Sequence, residues 1–332
     1  MQAATWLYLR LRLPLRVIQN SKIHTYEQKK CPCCGSPITK KNGVRYGVQL
    51  YKCMSCGHQF RGKVYLSKED LWKAYREQKQ TVRELAAAFG VSESTIKRLL
   101  KDVSVEWKNP VGCGRVVVSI DATYFGRDSG VLVVLDTQTG KPLYVKHIRH
   151  ERVSDYMEAI REIEKNGFLI DGIVIDGMQS LFKEFSSYKV QMCQYHMCAI
   201  VRRKITKNPK LEAGVELQWL MHTLKDSKKA DFTSRFSLWK EKWKAFLDQR
   251  TVNRETGKTF YTHQRIRSAM LSVEFYIPWL FTFQDVEGMP NTNNKIEGTF
   301  TDLKRNLNNH SGMSKENRKR FIDGFFLALN GD

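Results

Sequence analysis

The chain has 332 residues, and its 55 Lys plus Arg against 34 Asp plus Glu give a formal net charge of +21. This length allows two or three domains, and this charge attracts polyanions, so we expect nucleic acid as the partner. The apolar residues 1–20 are too short to span a membrane and are interrupted by Arg10, Arg12 and Arg16. They also lack an export cleavage site, so we expect a cytoplasmic, nucleoid-associated protein and assign residues 1–27 as an N-terminal arm.

Residues 28–62 are rich in cysteine. Two C-x2-C pairs separated by eighteen residues are formed by Cys31, Cys34, Cys53 and Cys56. This spacing is typical of a four-thiolate zinc site, and Gly35 and Gly57 follow the pairs where the chain has to turn tightly. Four thiolates leave no open coordination position, so the Zn2+ of this zinc ribbon is expected to be structural. Cys33 and His58 remain as alternative donors.

Residues 63–104 are predicted to be a helical, DNA-binding unit. Thr81 with Glu84 forms a capping box, Gly90 ends that helix, and Ser92 caps the next one. The pattern indicates a helix-turn-helix, whose second helix enters the major groove. Candidates for base and phosphate contacts are Ser94, Thr95, Lys97 and Arg98. An ordinary helical hairpin is the alternative.

The predicted linker, residues 105–114, contains Pro110 and two glycines. Three strands are predicted after it, at residues 116–120, 131–135 and 143–148. A helix at 154–166, capped by Ser154, then leads to a strand at 170–175 parallel to the first, a helix at 178–185 and a short strand at 190–193. Residues 115–206 therefore have the element order of a ribonuclease H-like α/β sheet.

Two carboxylates follow apolar strands that are predicted to be parallel neighbours. Asp121 ends the first strand and Asp176 ends the second, and an ionised side chain there is costly unless it meets a metal or another partner. Gly177 is expected to let the chain turn at once. Capping a turn is the alternative role for either aspartate.

A third carboxylate, Glu297, is predicted in the first turns of a helix that follows the polar residues 290–296. Two other acids compete for a place in the site. Asp128 is expected in a turn and Asp171 ahead of its strand, so we interpret both as solvated loop residues.

Four short motifs carry a family resemblance: Ser-Ile-Asp121-Ala-Thr-Tyr-Phe-Gly, Ile-Val-Ile-Asp176-Gly, Cys193-Gln-Tyr-His196 and Thr292-Asn-Asn-Lys-Ile-Glu297-Gly. With these motifs in this order, the sequence resembles the Mutator-like bacterial insertion-sequence transposases, in the zinc-binding variant of that group. The resemblance covers roughly residues 115–310. The resemblance implies a DDE triad of Asp121, Asp176 and Glu297 on a ribonuclease H-like core.

The resemblance also implies an all-helical insertion between Asp176 and Glu297, at residues 207–288. Candidate helices are residues 211–227, 230–249 and 262–274. Residues 289–332 would then hold the core helix with the third acid and a basic C-terminal tail. Cys193 and His196 match the family's C-x2-H motif, which is expected to brace the core or to handle the transposon end. Half of a second zinc site, with Cys198 nearby, and a plain buried pair are the alternatives.

Three carboxylates without a His or Cys ligand suit Mg2+ or Mn2+. We expect two ions about 4 Å apart to support hydrolysis at the transposon ends and then attack of the new 3′-hydroxyls on target DNA. Lys304 and Arg305, on the Glu297 helix, are candidate phosphate contacts. A basic group near the C-terminus is formed by Arg318, Lys319 and Arg320.

The expected partners are double-stranded terminal inverted repeats and target DNA, with no membrane. Pairing of two ends implies a homodimer or a larger synaptic complex. Two other functions fit the same motifs. One is a zinc-ribbon and helix-turn-helix DNA-binding regulator derived from an inactive transposase, and the other is a structure-specific nuclease that performs no strand transfer.

Overall fold

The computed structural model describes residues 25–27, 30–45, 48–61, 64–66, 68–77, 80–310 and 312–331. These fall into two compact units, Met1–Ser104 and Val105–Asp332. Most of the predicted N-terminal arm lies outside the described residues; its end forms strand β1 (Thr25–Glu27), which pairs antiparallel with β5 (Val64–Leu66). No helix within the described ranges is long and apolar enough to cross a membrane.

The first unit combines a small sheet with three helices. An antiparallel sheet contains β2 (Thr39–Arg45), β3 (Val48–Cys53) and β4 (Gln59–Arg61). The helices are α1 (Lys68–Glu77), α2 (Val82–Phe89) and α3 (Glu93–Lys101). They bury Leu71, Leu85 and Ile96 completely, so the three helices share one apolar core.

The predicted helix caps of this unit are confirmed. Thr81 accepts a hydrogen bond from the backbone N–H of Glu84, whose carboxylate accepts one from the N–H of Thr81 in return. Gly90 ends α2 with a φ of 61°, a conformation that glycine adopts without steric cost. Ser92 caps α3. The turn between the two helices is therefore set by local side chains.

The second unit contains a five-stranded sheet with the order β10-β9-β6-β7-β8. Its strands are β6 (Gly114–Tyr124), β7 (Gly130–Asp136), β8 (Pro142–Ile148), β9 (Phe168–Ile175) and β10 (Val190–Met192). The first three pair antiparallel, and β9 and β10 run parallel to β6. The predicted parallel pairing of the two aspartate-bearing strands is confirmed.

Helices cover both faces of this sheet. They are α4 (Val153–Lys165), α5 (Gln179–Glu184), α6 (Gln194–Ile205), α7 (Glu212–His222), α8 (Lys229–Leu247), α9 (Gln264–Tyr276), α10 (Asn294–Asn308) and α11 (Lys315–Asn330). One face of β7 packs on α10 and α11, and the other packs on the core that α4 to α9 share. The alternating side chains of a buried strand thus contribute to two cores.

Two predictions for the helical segments are wrong. The insertion is not all-helical, because β11 (Arg250–Val252) and β12 (Thr259–Tyr261) form a hairpin between α8 and α9. The C-terminal segment is not a tail, because α11 buries Phe321 and Phe326 in the core. Apolar residues at helical spacing among its basic ones explain the difference.

Two local predictions are also wrong. Helix α4 starts one residue before Ser154, and its first turn has no side-chain cap. Asp171 lies inside β9 rather than ahead of it, at a register shift where Val116 and Val117 pair with Ile170 and Gly172. At this bulge the carboxylate of Asp171 forms an ion pair with Arg115.

Candidate functional site

Asp121 and Asp176 lie on adjacent parallel strands. Ser119 of β6 pairs with Val174 of β9, and each aspartate lies two residues after its member of this pair. Asp121 accepts a hydrogen bond from the N–H of Ala122 at 2.8 Å, and Asp176 accepts one from the N–H of Met178 at 3.2 Å. Asp121 lies within β6, three residues before the strand ends, and not at its end as predicted, whereas Asp176 directly follows β9. The strand register therefore brings the two carboxylates to the same end of neighbouring strands.

Gly177, after Asp176, allows close packing and does not form a glycine-specific turn. Its φ is not positive, in contrast to the expectation of a glycine-specific turn. A Cβ atom there would lie 2.8 Å from Cδ1 of Ile200 and 3.6 Å from the hydroxyl of Tyr276. That hydroxyl donates to the carbonyl of Gly177 at 2.6 Å, so α6 and α9 hold the residue beside Asp176 in place.

Glu297 is the fourth residue of α10, as predicted, and the loop before this helix fixes its position. Buried Asn293 accepts a hydrogen bond from the hydroxyl of Ser119 at 2.8 Å, and its carbonyl accepts one from the N–H of Glu297 at 3.1 Å. The N–H of Asn293 donates to Sγ of Cys193 at 3.3 Å. Asn293 thus connects the third acid to β6 and to the start of α6.

The charges of these acids act on one another. Burial, together with the negative charges of Asp176, Glu151 and Glu297, raises the pKa of Asp121 to about 8, although the hydrogen bond from the N–H of Ala122 lowers it. A carboxyl group with that pKa resists ionisation unless a positive charge is close. The site therefore favours the binding of a cation.

Glu151 is an acid that the sequence analysis missed. It precedes α4, its carboxylate accepts a hydrogen bond from the hydroxyl of Tyr156, and its pKa is raised by burial and by the charge of Asp176. No strand end or motif marks this position in the sequence. Only the fold brings it to Asp121 and Asp176.

Cys193, His196 and Glu297 form a tight group whose potential ligand atoms all lie within 4.8 Å of one another. Nε2 of His196 is 3.6 Å from Oε1 of Glu297. Within the described ranges, this group and the four ribbon cysteines are the sets of three or more His, Cys, Asp or Glu residues that are so close. The trio of Asp121, Asp176 and Glu297 is more widely spaced and is not among these sets.

The ribbon cysteines have the geometry of a zinc site. Sγ of Cys31 lies 3.6 Å from Sγ of Cys56, and the same distance separates Cys34 from Cys53. Zinc–sulfur bonds of about 2.3 Å in a tetrahedron place sulfurs about 3.8 Å apart. These four thiols can hold a metal such as zinc, whereas the alternative donors Cys33 and His58 do not belong to the group.

The residues predicted to contact DNA have different surroundings in the two units. Ser94, Lys97 and Arg98 are exposed on α3, and Thr95 is half-buried beside Ser92. In the second unit, Arg305 is exposed and forms an ion pair with Asp302 at 3.1 Å.

Lys304 is exposed and lines a cavity of about 400 Å³ together with Arg318. Arg318 also donates to the carbonyl of Phe125 at 3.2 Å, which holds its guanidinium group at that cavity. Lys304 and Arg318 therefore present two positive charges to one surface concavity.

No protein-family model and no curated protein matches this sequence. Among solved structures, the chain is similar to the Drosophila P element transposase strand transfer complex, with 13% identity and a TM-score of 0.45 over 81% of this chain and 93% of that one. It is also similar to the simian T-cell lymphotropic virus intasome in complex with PP2A regulatory subunit B56 gamma, with 11% identity and a TM-score of 0.21 over 48% of this chain and 69% of that one. These identities and TM-scores are too low to assign a function. A functional proposal therefore has to rest on the side chains of the site.

Proposed function

We propose that this protein is a DDE transposase of the Mutator-like type, which cleaves DNA at transposon ends and joins those ends to target DNA. The observation that carries the proposal is the convergence of Asp121, Asp176 and Glu297 from two parallel strands and a helix. A sheet of three antiparallel strands followed by two parallel ones supports a ribonuclease H-like core.

The donor set fits a hard divalent cation, because carboxylate oxygens are the ligands that Mg2+ and Mn2+ prefer. Asp121, Asp176 and Glu297 would hold the ions, and Glu151 adds a fourth negative charge. The raised pKa of Asp121 supports this fit, because a cation would offset the repulsion that causes it. Bound Mg2+ would activate the nucleophile and neutralise charge on the reacting phosphate.

The chemistry consists of two phosphoryl transfers at one site. In the first, the oxygen of water bonds to phosphorus and the bond to the 3′ oxygen breaks, which leaves a 3′-hydroxyl and a 5′-phosphate. In the second, that hydroxyl attacks a target phosphodiester, and a target 3′-hydroxyl leaves. The network from Ser119 through Asn293 to Glu297 keeps the third acid in position during both steps.

The zinc ribbon and the helix-turn-helix would recognise the terminal inverted repeats, with Lys97 and Arg98 of α3 at the DNA. Lys304 and Arg318 would hold phosphates without reading sequence. Pairing of two ends requires at least two copies of the chain, and we expect the protein to act on the nucleoid.

The test is an assay with labelled DNA that carries the element's ends, in Mg2+, in Mn2+ and with EDTA. We expect metal-dependent cleavage and joined products that Asp176→Asn abolishes. The matched control is Asp171→Asn, which removes a carboxylate from β9, five residues before Asp176, and should retain activity. Specific binding without cleavage would instead favour the regulator, and cleavage without joining would favour the nuclease.

A further inference from the structure

The proposed chemistry uses Glu297 but does not use its two neighbours, Cys193 and His196. Cys193 is completely buried at the start of α6, and its sulfur accepts hydrogen bonds from backbone N–H groups of Tyr195, His196 and Asn293. Burial raises the pKa of this thiol, so a nearby cation would favour the thiolate, which is the form that binds metals. A sulfur, an imidazole and a carboxylate therefore face one another next to the carboxylate trio.

This donor set differs in kind from the trio. Thiolate and imidazole are ligands for Zn2+ and related transition metals, whereas Mg2+ prefers oxygen. Three protein ligands with one open position is an arrangement that zinc adopts in its non-structural sites. Oε1 of Glu297 and Nδ1 of His196 are buried without a hydrogen-bond partner among the described residues. Such unsatisfied atoms are uncommon in folded proteins, and a cation would satisfy the carboxylate oxygen.

We propose that Cys193, His196 and Glu297 bind a thiophilic divalent cation of the Zn2+ class, and that this cation inhibits DNA cleavage by holding Glu297. The first half of this proposal, metal binding (the binding half), rests on the cluster alone. The second half, inhibition of cleavage (the inhibitory half), also rests on the proposed function. One carboxylate then belongs to two sites with opposite metal preferences. A cation bound between the thiolate and the imidazole keeps Glu297 from acting with Asp121 and Asp176.

Cobalt binding tests the first half, because thiolate-bound Co2+ gives a charge-transfer absorption that carboxylate-bound Co2+ lacks. The full chain is first given one equivalent of Zn2+, which the four ribbon thiolates take up, and Co2+ is then titrated. We expect a saturable band in the wild type that is lost in Cys193→Ser and in His196→Gln. Cys198→Ser, one turn further along α6, should retain it and serves as the matched control.

A wild type without the band, or a band of equal intensity in Cys193→Ser, would overturn the binding half. Folding of each variant is checked by circular dichroism. Because two different ligands are replaced, loss of the band in both folded variants cannot be attributed to misfolding of one.

Inhibition is tested by end cleavage at fixed Mg2+ with increasing Zn2+, each protein being compared with its own rate in the absence of Zn2+. We expect the wild type and Cys198→Ser to lose at least tenfold in rate at a Zn2+ concentration that changes the rate of Cys193→Ser less than twofold. Equal inhibition of all three would overturn the inhibitory half. A wild type that does not cleave in Mg2+ alone would overturn the proposed function together with that half, whereas the cobalt titration would still decide the binding half.

Discussion

The four-cysteine cluster of the first unit and the carboxylate site both bring together groups that repel or destabilise one another without a cation, but the sequence supplies them in different ways. The cysteine cluster takes its thiols from two short turns of the same form, in which the N–H of Gly35 donates to the backbone carbonyl of Cys31 and the N–H of Gly57 donates to that of Cys53. The carboxylate site takes its acids from two strands, a loop and a distant helix. The cysteine cluster can be recognised in the sequence because local turns form it, whereas the carboxylate site is assembled only by the complete fold.

The largest effect is expected from Cys53→Ser, because structural zinc contributes roughly 10–16 kcal/mol to the folding of a small zinc domain. We expect loss of bound zinc and of specific end binding, with the unfolding transition of residues 105–332 unchanged. Metal analysis and calorimetry measure these quantities. Cys33→Ser, which replaces an exposed thiol outside the cluster, should retain the metal; equal zinc loss in both variants would contradict the ligand assignment.

Gly177→Ala is expected to lower the stability of the second unit. The new Cβ would lie 2.8 Å from Cδ1 of Ile200, the free end of a half-buried side chain that can shift, so we expect a cost at the low end of the roughly 1–3 kcal/mol typical of overpacking. The midpoint of thermal unfolding measures the loss. As a control, Gly298→Ala places its Cβ in open space on α10 and should not destabilise the protein. An unchanged midpoint for Gly177→Ala would show that α6 and α9 do not need this close approach.

A gain in stability is predicted for Asp121→Asn without divalent cations. Because the pKa of Asp121 is raised to about 8 in the folded protein, folding favours its protonated form. The stability contributed by that proton is complete below the ordinary pKa of about 3.9 and is lost as the pH rises to about 8. One pKa unit corresponds to about 1.4 kcal/mol, so this shift predicts that the variant is more stable than the wild type by roughly 5 kcal/mol at pH 8 and by less than about 1 kcal/mol at pH 4. Unfolding in urea at both pH values checks this, and a gain that does not depend on pH would contradict it.

The smallest effect is expected from Arg98→Ala on α3. Removal of one phosphate contact should reduce the slope of log affinity against log salt by about 1. Titrations of end DNA at several salt concentrations measure the slope. Arg127→Ala, in an exposed turn of the second unit, is the control, and equal slopes for both variants would place α3 away from the DNA.

The sequence predicted what depends on neighbouring residues. Apolar runs located the five strands of the large sheet, and side-chain spacing predicted the cap at Thr81 and the helical turn that carries Glu297. Parallel pairing of β6 and β9 followed from element order, because a helix separates the two strands. These features can be predicted since each depends on a short window of sequence.

What could not be predicted depends on residues that are distant in sequence. Glu151 joins the site only through the packing of α4, and Gly177 meets Tyr276 from the insertion. The C-x2-H motif was recognised, yet its partner Glu297 lies about a hundred residues away. The bulge at Asp171 likewise depends on pairing with β6, which no local pattern records.

The central claim is that Asp121 and Glu297 act together in one catalytic site, and a double-mutant comparison of end cleavage tests it most directly. The rate in Mg2+ is measured for Asp121→Asn, for Glu297→Gln and for the double variant. Residues that act as a unit have strongly non-additive effects, so we expect each single change to lower the rate at least about a thousandfold and the double variant to be no slower than the worse single one. A single variant that cleaves at the wild-type rate, or losses that multiply in the double variant, would contradict the account.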